Sequence, residues 1–206
     1  MPFWLLILFV VWTGTAYGAA DLDYAAWARE DPTGRWTRTA EKAVRQSRLP
    51  DILPNGIEDF CPAYAEKDRE TRVKFWVGLL SAMARAESDC RTEVRHTEAI
   101  RDGRGRRVIS RGLLQISVES ANQGRYDCRI GRVEELHDPV VNLRCAVKIL
   151  EYWIRQDQTI TSFAEASPLG GGRYWATLRP PHPRLPEIAA FTRNLKACQG
   201  LPHPAP

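Results

Sequence analysis

The sequence predicts a mainly α fold with one small β-hairpin. Apolar residues recur at helical spacing through most of the chain, while period-two alternation is scarce. The strongest turn signal, Asp102-Gly103-Arg104-Gly105, stands where a strand pair is expected on its two flanks. An amphipathic helix is expected over residues 35–48, after the turn Asp31-Pro32-Thr33-Gly34. The longest helix is expected over residues 67–87, and a short one over residues 117–122. Asp138-Pro139 opens another, with Asp at the N-cap and Pro at the first helical position, running through Val147, Leu150 and Trp153. Between the prolines of the tail, residues 186–197 are read as a last short helix.

Of 206 residues, 44% are hydrophobic and 26% charged. Such a chain can build one sizeable core, and wholesale disorder is excluded. A net charge of +4 is too small for the basic stripe of a nucleic-acid binder, so no nucleic-acid partner is expected. Residues 3–12 are an apolar run too short to span a bilayer, followed by small residues at Ala16 and Gly18. That is the pattern of a signal peptide cut after Gly18, which places the mature chain in the periplasm or outside the cell; the missing Lys or Arg before the run leaves an uncleaved anchor as the other reading. No later run is long and apolar enough for a membrane span.

Export exposes the five cysteines to an oxidising compartment. The expected pairs are Cys128–Cys145, closing a short loop onto a helix, and Cys61–Cys198, tying the chain ends. Cys90 is left over. The four histidines are scattered and no C-x-x-C occurs, so no metal site is expected.

Trp76, Leu80, Met83 and Glu87 are spaced to share one helix face. Glu87 thus ends an apolar stripe, where lost hydration raises a carboxyl pKa and prepares a general acid. The bland alternative is a last-turn glutamate fanning into water. In Ser110-Arg111-Gly112-Leu113-Leu114-Gln115-Ile116, Gly112 permits a tight backbone. Gln115 there is a polar amide among apolar neighbours, in need of a partner. Asn142 falls in the first turn of the helix opened by Asp138, where local capping is its bland role.

In this order, Ala86-Glu87-Ser88, Ser110-x-Gly112-Leu113-Leu114-Gln115-Ile116 and Asp138-Pro139-x-x-Asn142-Leu143 resemble the soluble lytic transglycosylase and goose-type lysozyme family. The resemblance covers residues 75–175. It implies a lysozyme-like α domain, placed over residues 61–200. The residues themselves give a signal peptide in 1–18, an N-terminal helical extension in 19–60 with no counterpart in the family, and a disordered tail in 201–206. It makes Glu87 the catalytic acid/base and Ser88 a support of the site. Gln115 becomes a contact for glutamate or substrate, and Asn142 a holder of the cleft wall. Leu114 replaces the family's frequent Met, and Ala146 a frequent Gly. The downstream Ala-x-Tyr-Asn-x-Gly signature is absent; Gly170-Gly171-Gly172-Arg173-Tyr174-Trp175 stands instead, with Tyr174 as the candidate cleft hydroxyl or a packed core ring.

The implied substrate is peptidoglycan, cut by a monomer between N-acetylmuramic acid and N-acetylglucosamine without cofactor. Cleavage by Glu87 alone, leaving 1,6-anhydro ends, is placed ahead of inverting hydrolysis. Hydrolysis needs a second carboxylate about 6.5–9.5 Å away. Candidates are Glu98, in the apolar run Thr97-Glu98-Ala99-Ile100, then Asp102, Glu93 and Asp89. A fold retained for sugar binding without chemistry is the alternative of another class. Arg101 to Arg107 add a basic cluster that can touch acidic groups of a cell wall or remain solvated.

Overall fold

The computed structural model describes residues 24–162 and 167–200. The expected signal peptide and residues 201–206 lie outside them. Five α-helices and one hairpin follow in chain order: α1 (Arg35–Gln46), α2 (Arg69–Ser88), β1 (Arg95–Arg101), β2 (Arg107–Arg111), α3 (Val118–Ala121), α4 (Pro139–Asp157) and α5 (Arg184–Arg193), joined by short 3-10 turns. The mainly α fold with one hairpin is therefore observed, within a residue or two at most helix ends. The tail helix begins and stops earlier than expected, because Asn194 closes it onto three preceding carbonyls.

Each start has a local cause. Asp31 is buried, and its carboxylate accepts the backbone N–H groups of Arg35 at 3.0 Å and Trp36 at 2.7 Å. A fixed negative charge there complements the first turn of α1. Asp68 caps α2 through Thr71 N–H at 2.7 Å, and Asp138 caps α4 through Val140 N–H at 2.8 Å, with Pro139 at the first helical position as expected.

Helix α2 is the axis of the molecule. The sequence reading gave it one apolar stripe, but every residue from Phe75 to Ala84 is buried. Helices α1 and α5 both pack on it, so no side of its middle meets water. The segment before α1 adds a further cover. Trp27 is fully buried, the Ala26 N–H donates to Ser81 Oγ at 2.8 Å, and Arg85 holds Glu30 through both guanidinium nitrogens at 2.9 and 3.0 Å. One apolar core runs from Ala25 to Cys198.

Residues 111–116 connect hairpin to helices, and they are held from several directions. Gly112 adopts φ 72°, and a methyl group there would meet Leu136 O at 2.1 Å and Asn142 Nδ2 at 2.5 Å. Asn142 is fully buried. Its Oδ1 accepts Leu114 N–H at 3.0 Å, and its Nδ2 donates to Leu136 O at 2.9 Å and Arg111 O at 3.0 Å. The Trp175 indole donates to Leu114 O and the Ser88 hydroxyl to Leu113 O, both at 2.8 Å.

Disulfides join Cys61 to Cys198 and Cys128 to Cys145, and Cys90 is free and buried, as read from the sequence. The first spans 137 residues and the second 17.

Replacing Asn142 by Ala strands a buried N–H and two carbonyls. In urea unfolding, Asn142→Ala and Gly112→Ala are each expected to lose about 3 kcal/mol or more. Loop-closure entropy ranks the disulfides: removing Cys61–Cys198 by paired Ala substitutions is expected to cost about 4–5 kcal/mol, against about 3 kcal/mol for Cys128–Cys145.

Candidate active site

Glu87 stands in the last turn of α2 with its side chain half-buried. Burial raises its pKa above the usual 4.5, and the nearby charge of Glu98 pushes the same way. Hydrogen bonding from Thr177 and the charge of Arg179 pull in the opposite direction. The Thr177 hydroxyl donates to Glu87 Oε1 at 2.5 Å, and its backbone adds a second bond. Desolvation wins, and the carboxyl retains its proton to higher pH than a solvated glutamate.

Glu98 reaches the same site through an irregularity in the hairpin. Arg95, His96 and Thr97 pair with Arg111, Ser110 and Ile109, and pairing resumes only at Arg101 with Arg107. Glu98, Ala99 and Ile100 thus face Val108 alone, a bulge that re-aims side chains. Within a strand otherwise exposed, Glu98 is the one half-buried residue, and it accepts the Ser110 hydroxyl at 2.7 Å.

A cleft of about 270 Å³ has Glu98, Ser110, Gln115 and Tyr174 in its lining. Gln115 takes φ 43° and is buried. Its Nε2 donates to Gly112 O at 2.8 Å and Val94 O at 3.2 Å, which fixes the amide's orientation. Its Oε1 is the buried side-chain oxygen left without a partner among the described residues. The Tyr174 hydroxyl lies by the Ser120 hydroxyl and Ser117 backbone; burial raises its pKa, and the charge of Glu87 adds to that shift.

Glu87, Glu98, Gln115 and Tyr174 are therefore brought together at or beside one cleft. Ser88 and Asn142 are not: both are buried behind it, where their side chains hold residues 111–116. The other acidic candidates are engaged elsewhere or lie in the open. Asp89 pairs with Arg85, Asp102 is bound by Arg106 at the hairpin turn, and Glu93 is exposed. A larger groove of about 570 Å³, lined by α1 and α4 residues such as Lys42 and Arg144, contains none of these carboxylates. Chemistry rather than size thus selects the smaller cleft.

Sequence reasoning missed Thr177 and Arg179. Thr177 lies 90 residues from Glu87 and belongs to no motif. It arrives because the chain folds back tightly after α4. Gly170, at φ 51°, packs where a methyl group would meet Thr159 O at 2.1 Å, and its N–H donates to Asp157 at 2.7 Å. The 3-10 turn Ala176–Leu178 then presents Thr177 to Glu87. The three consecutive glycines were the available signal of a close approach.

A carboxyl with a raised pKa stabilises the fold below its unfolded pKa, and that contribution is lost as pH rises through the folded value. Glu87→Gln, a neutral stand-in for the protonated acid, should therefore melt higher than wild type at pH 7. The gap should close below about pH 4. Thr177→Val removes a bond that favours ionisation, so the Glu87 titration followed by carboxyl NMR should move further upward.

The arrangement supplies a proton donor beside a second carboxylate. No protein-family model matches the chain, and no curated protein matches it. Solved structures do. The chain resembles a glutamate-to-glutamine variant of the protein Bd0314 DslA with TM-score 0.79 and 34% identity, over 85% of this chain and 98% of that one. A wild-type form of the same protein matches with TM-score 0.78 and 35% identity, over 84% and 96%. A second variant changes another glutamate of that protein, eleven positions from the first. Glu87 and Glu98 are eleven positions apart here. With a third of its residues shared over nearly the whole length of that structure, the chain belongs to the DslA family.

Proposed function

We propose that the protein is a peptidoglycan-cleaving glycosidase in which Glu87 and Glu98 act as a pair. Glu87, whose pKa burial raises, gives its proton to the glycosidic oxygen between N-acetylmuramic acid and N-acetylglucosamine. Glu98, steadied by the Ser110 hydroxyl, takes a proton from the water that attacks the anomeric carbon. This is inverting hydrolysis through an oxocarbenium-like transition state. The observation that carries it is the placement of Glu98: the bulge half-buries it in the cleft lining, which Asp89, Glu93 and Asp102 do not share, and its charge raises the pKa of Glu87. Gln115 Oε1, without a donor among the described residues, accepts an N–H or O–H of the bound sugar. Tyr174 and the residues held by Ser88 and Asn142 shape the wall.

Glu87 acting alone is the second reading. Thr177 favours the ionised carboxyl, which that route needs when Glu87 takes a proton from the muramoyl C6 hydroxyl and anhydro ends form. Two disulfides support action outside the cytoplasm, as a secreted or periplasmic protein. The two-part organisation belongs to the same proposal, with residues 19–60 backing a catalytic unit of residues 61–200.

Mass analysis of products from digested cell walls separates the routes. Reducing ends with inverted configuration are expected from wild type. Glu87→Gln and Glu98→Gln are each expected to lose at least about a hundredfold in rate, as general acid and base groups typically contribute. Anhydro ends, with Glu98→Gln retaining its rate, would establish the single-glutamate route instead. Equal clearing by wild type and Glu87→Gln would remove the enzyme assignment.

A further inference from the structure

The net charge of +4 is not spread over the molecule. Residues 95–111 carry six arginines against Glu98 and Asp102, so the whole excess sits in the hairpin and the rest of the chain is balanced. This placement is unfavourable for the ribbon itself. The ladder sets Arg95 directly opposite Arg111, and Arg101 directly opposite Arg107. Like charges in opposed positions destabilise a strand pair. Of the six, Arg106 is the one with an ion pair among the described residues, to Asp102 at 2.8 Å. Arg101 donates to Gly105 O at 2.6 Å, Arg107 to Glu98 O at 3.2 Å and Ala99 O at 3.0 Å, and Arg111 to Ile109 O at 2.7 Å. Those carbonyls orient the guanidiniums without neutralising them. Arg95 and Arg104 are exposed, and their side chains form no hydrogen bond or ion pair among the described residues.

The ribbon has a face that the cleft does not use. Ser110 lines the cleft together with Glu98. Side chains alternate along a strand, so Arg95 and Arg111, one step along the ladder from the His96–Ser110 pair, stand on the opposite face. Arg104 and Arg106 extend the charge to the turn. Ile100, next to the Arg101–Arg107 pair at the edge of the cleft lining, is 64% exposed, more than any other large hydrophobic side chain among the described residues. Guanidinium forks match phosphate oxygens. A bare isoleucine among them gains nothing from a polyanion in water, but it gains from the boundary between headgroups and acyl chains.

We propose that this hairpin is a docking surface for an anionic phospholipid bilayer, its arginines meeting headgroup phosphates and Ile100 entering the boundary beneath them. An anionic surface offsets the repulsion between the opposed arginines, which nothing inside the fold does. Each basic residue held near such a surface is worth about fivefold in partitioning. The docking surface is independent of the chemistry proposed for the cleft.

Vesicle sedimentation tests it on the chain beginning at Ala19, which lacks the apolar run of residues 3–12. Vesicles of phosphatidylcholine alone are compared with vesicles of phosphatidylcholine and phosphatidylglycerol. Wild type should pellet with the mixed vesicles, stay in solution with the neutral ones, and be released by added salt. Arg95→Gln combined with Arg104→Gln removes two charges without breaking a side-chain contact, so affinity for the mixed vesicles should fall about thirtyfold. The paired Lys substitutions should retain it. Melting curves check the fold, and the Gln pair should melt no lower than wild type because the repulsion between Arg95 and Arg111 is relieved. Ile100→Ser should weaken binding to the mixed vesicles severalfold and leave binding to soluble polyphosphate unchanged. Equal pelleting with both kinds of vesicle, or pelleting undiminished by the Gln pair, would overturn the proposal. Binding to polyphosphate without binding to the mixed vesicles would assign the patch to a soluble polyanion and overturn it as well.

Discussion

A single buried amide organises the side of the molecule that carries the candidate site. Asn142 receives one N–H and supplies two, and its partners belong to three separate stretches of chain: Arg111 at the end of the hairpin, Leu114 in the following loop and Leu136 before α4. Buried polar groups are costly when unmatched and rigidifying when every valence is used. Asn142 is of the second kind, and Gly112 is small enough to let it approach. The strained backbone of Gln115 is tolerable because the residues on both sides are pinned. The hairpin that carries Glu98 and the loop that carries Gln115 are thereby registered against α4. Ser88 registers the same loop against the helix that carries Glu87.

Glu87 is a compromise between opposing forces. Burial at the end of a helix enclosed on all sides withholds water and favours the neutral acid. Thr177 supplies donors that make the anion tolerable. A carboxyl balanced in this way can give up a proton without meeting an insurmountable cost afterward. Such sites are held against the interest of stability, and the surrounding scaffold must be rigid enough to bear them. Enclosure of α2 from both flanks, with the Trp27 segment as an added cover, supplies that rigidity.

Much of this architecture was legible in the residues. Helix starts could be read because caps are local: Asp138 followed by Pro139 needs no knowledge of the rest of the chain. The hairpin was announced by its turn, and disulfides were expected from export, although which cysteines pair is not fixed by spacing. Burial of α2 on every side was not legible from its stripe. It depends on α1 and α5, which are far away in sequence. Glu87 and Gln115 were found because a charged and a polar side chain stood out against apolar neighbours. Thr177 and Arg179 did not stand out. Their importance is created by a fold-back after α4, and a threonine in an unremarkable segment carries no mark of what it will touch.

The three unmatched residues of the hairpin have an evolutionary implication. Because the irregularity rather than the regular ladder sets the direction of its residues, a change in its length would re-aim the side chains it carries while leaving the core untouched. Under the proposed pairing of Glu87 with Glu98, a single codon gained or lost in this surface ribbon would alter the acid opposite Glu87 without disturbing the buried interior that holds it.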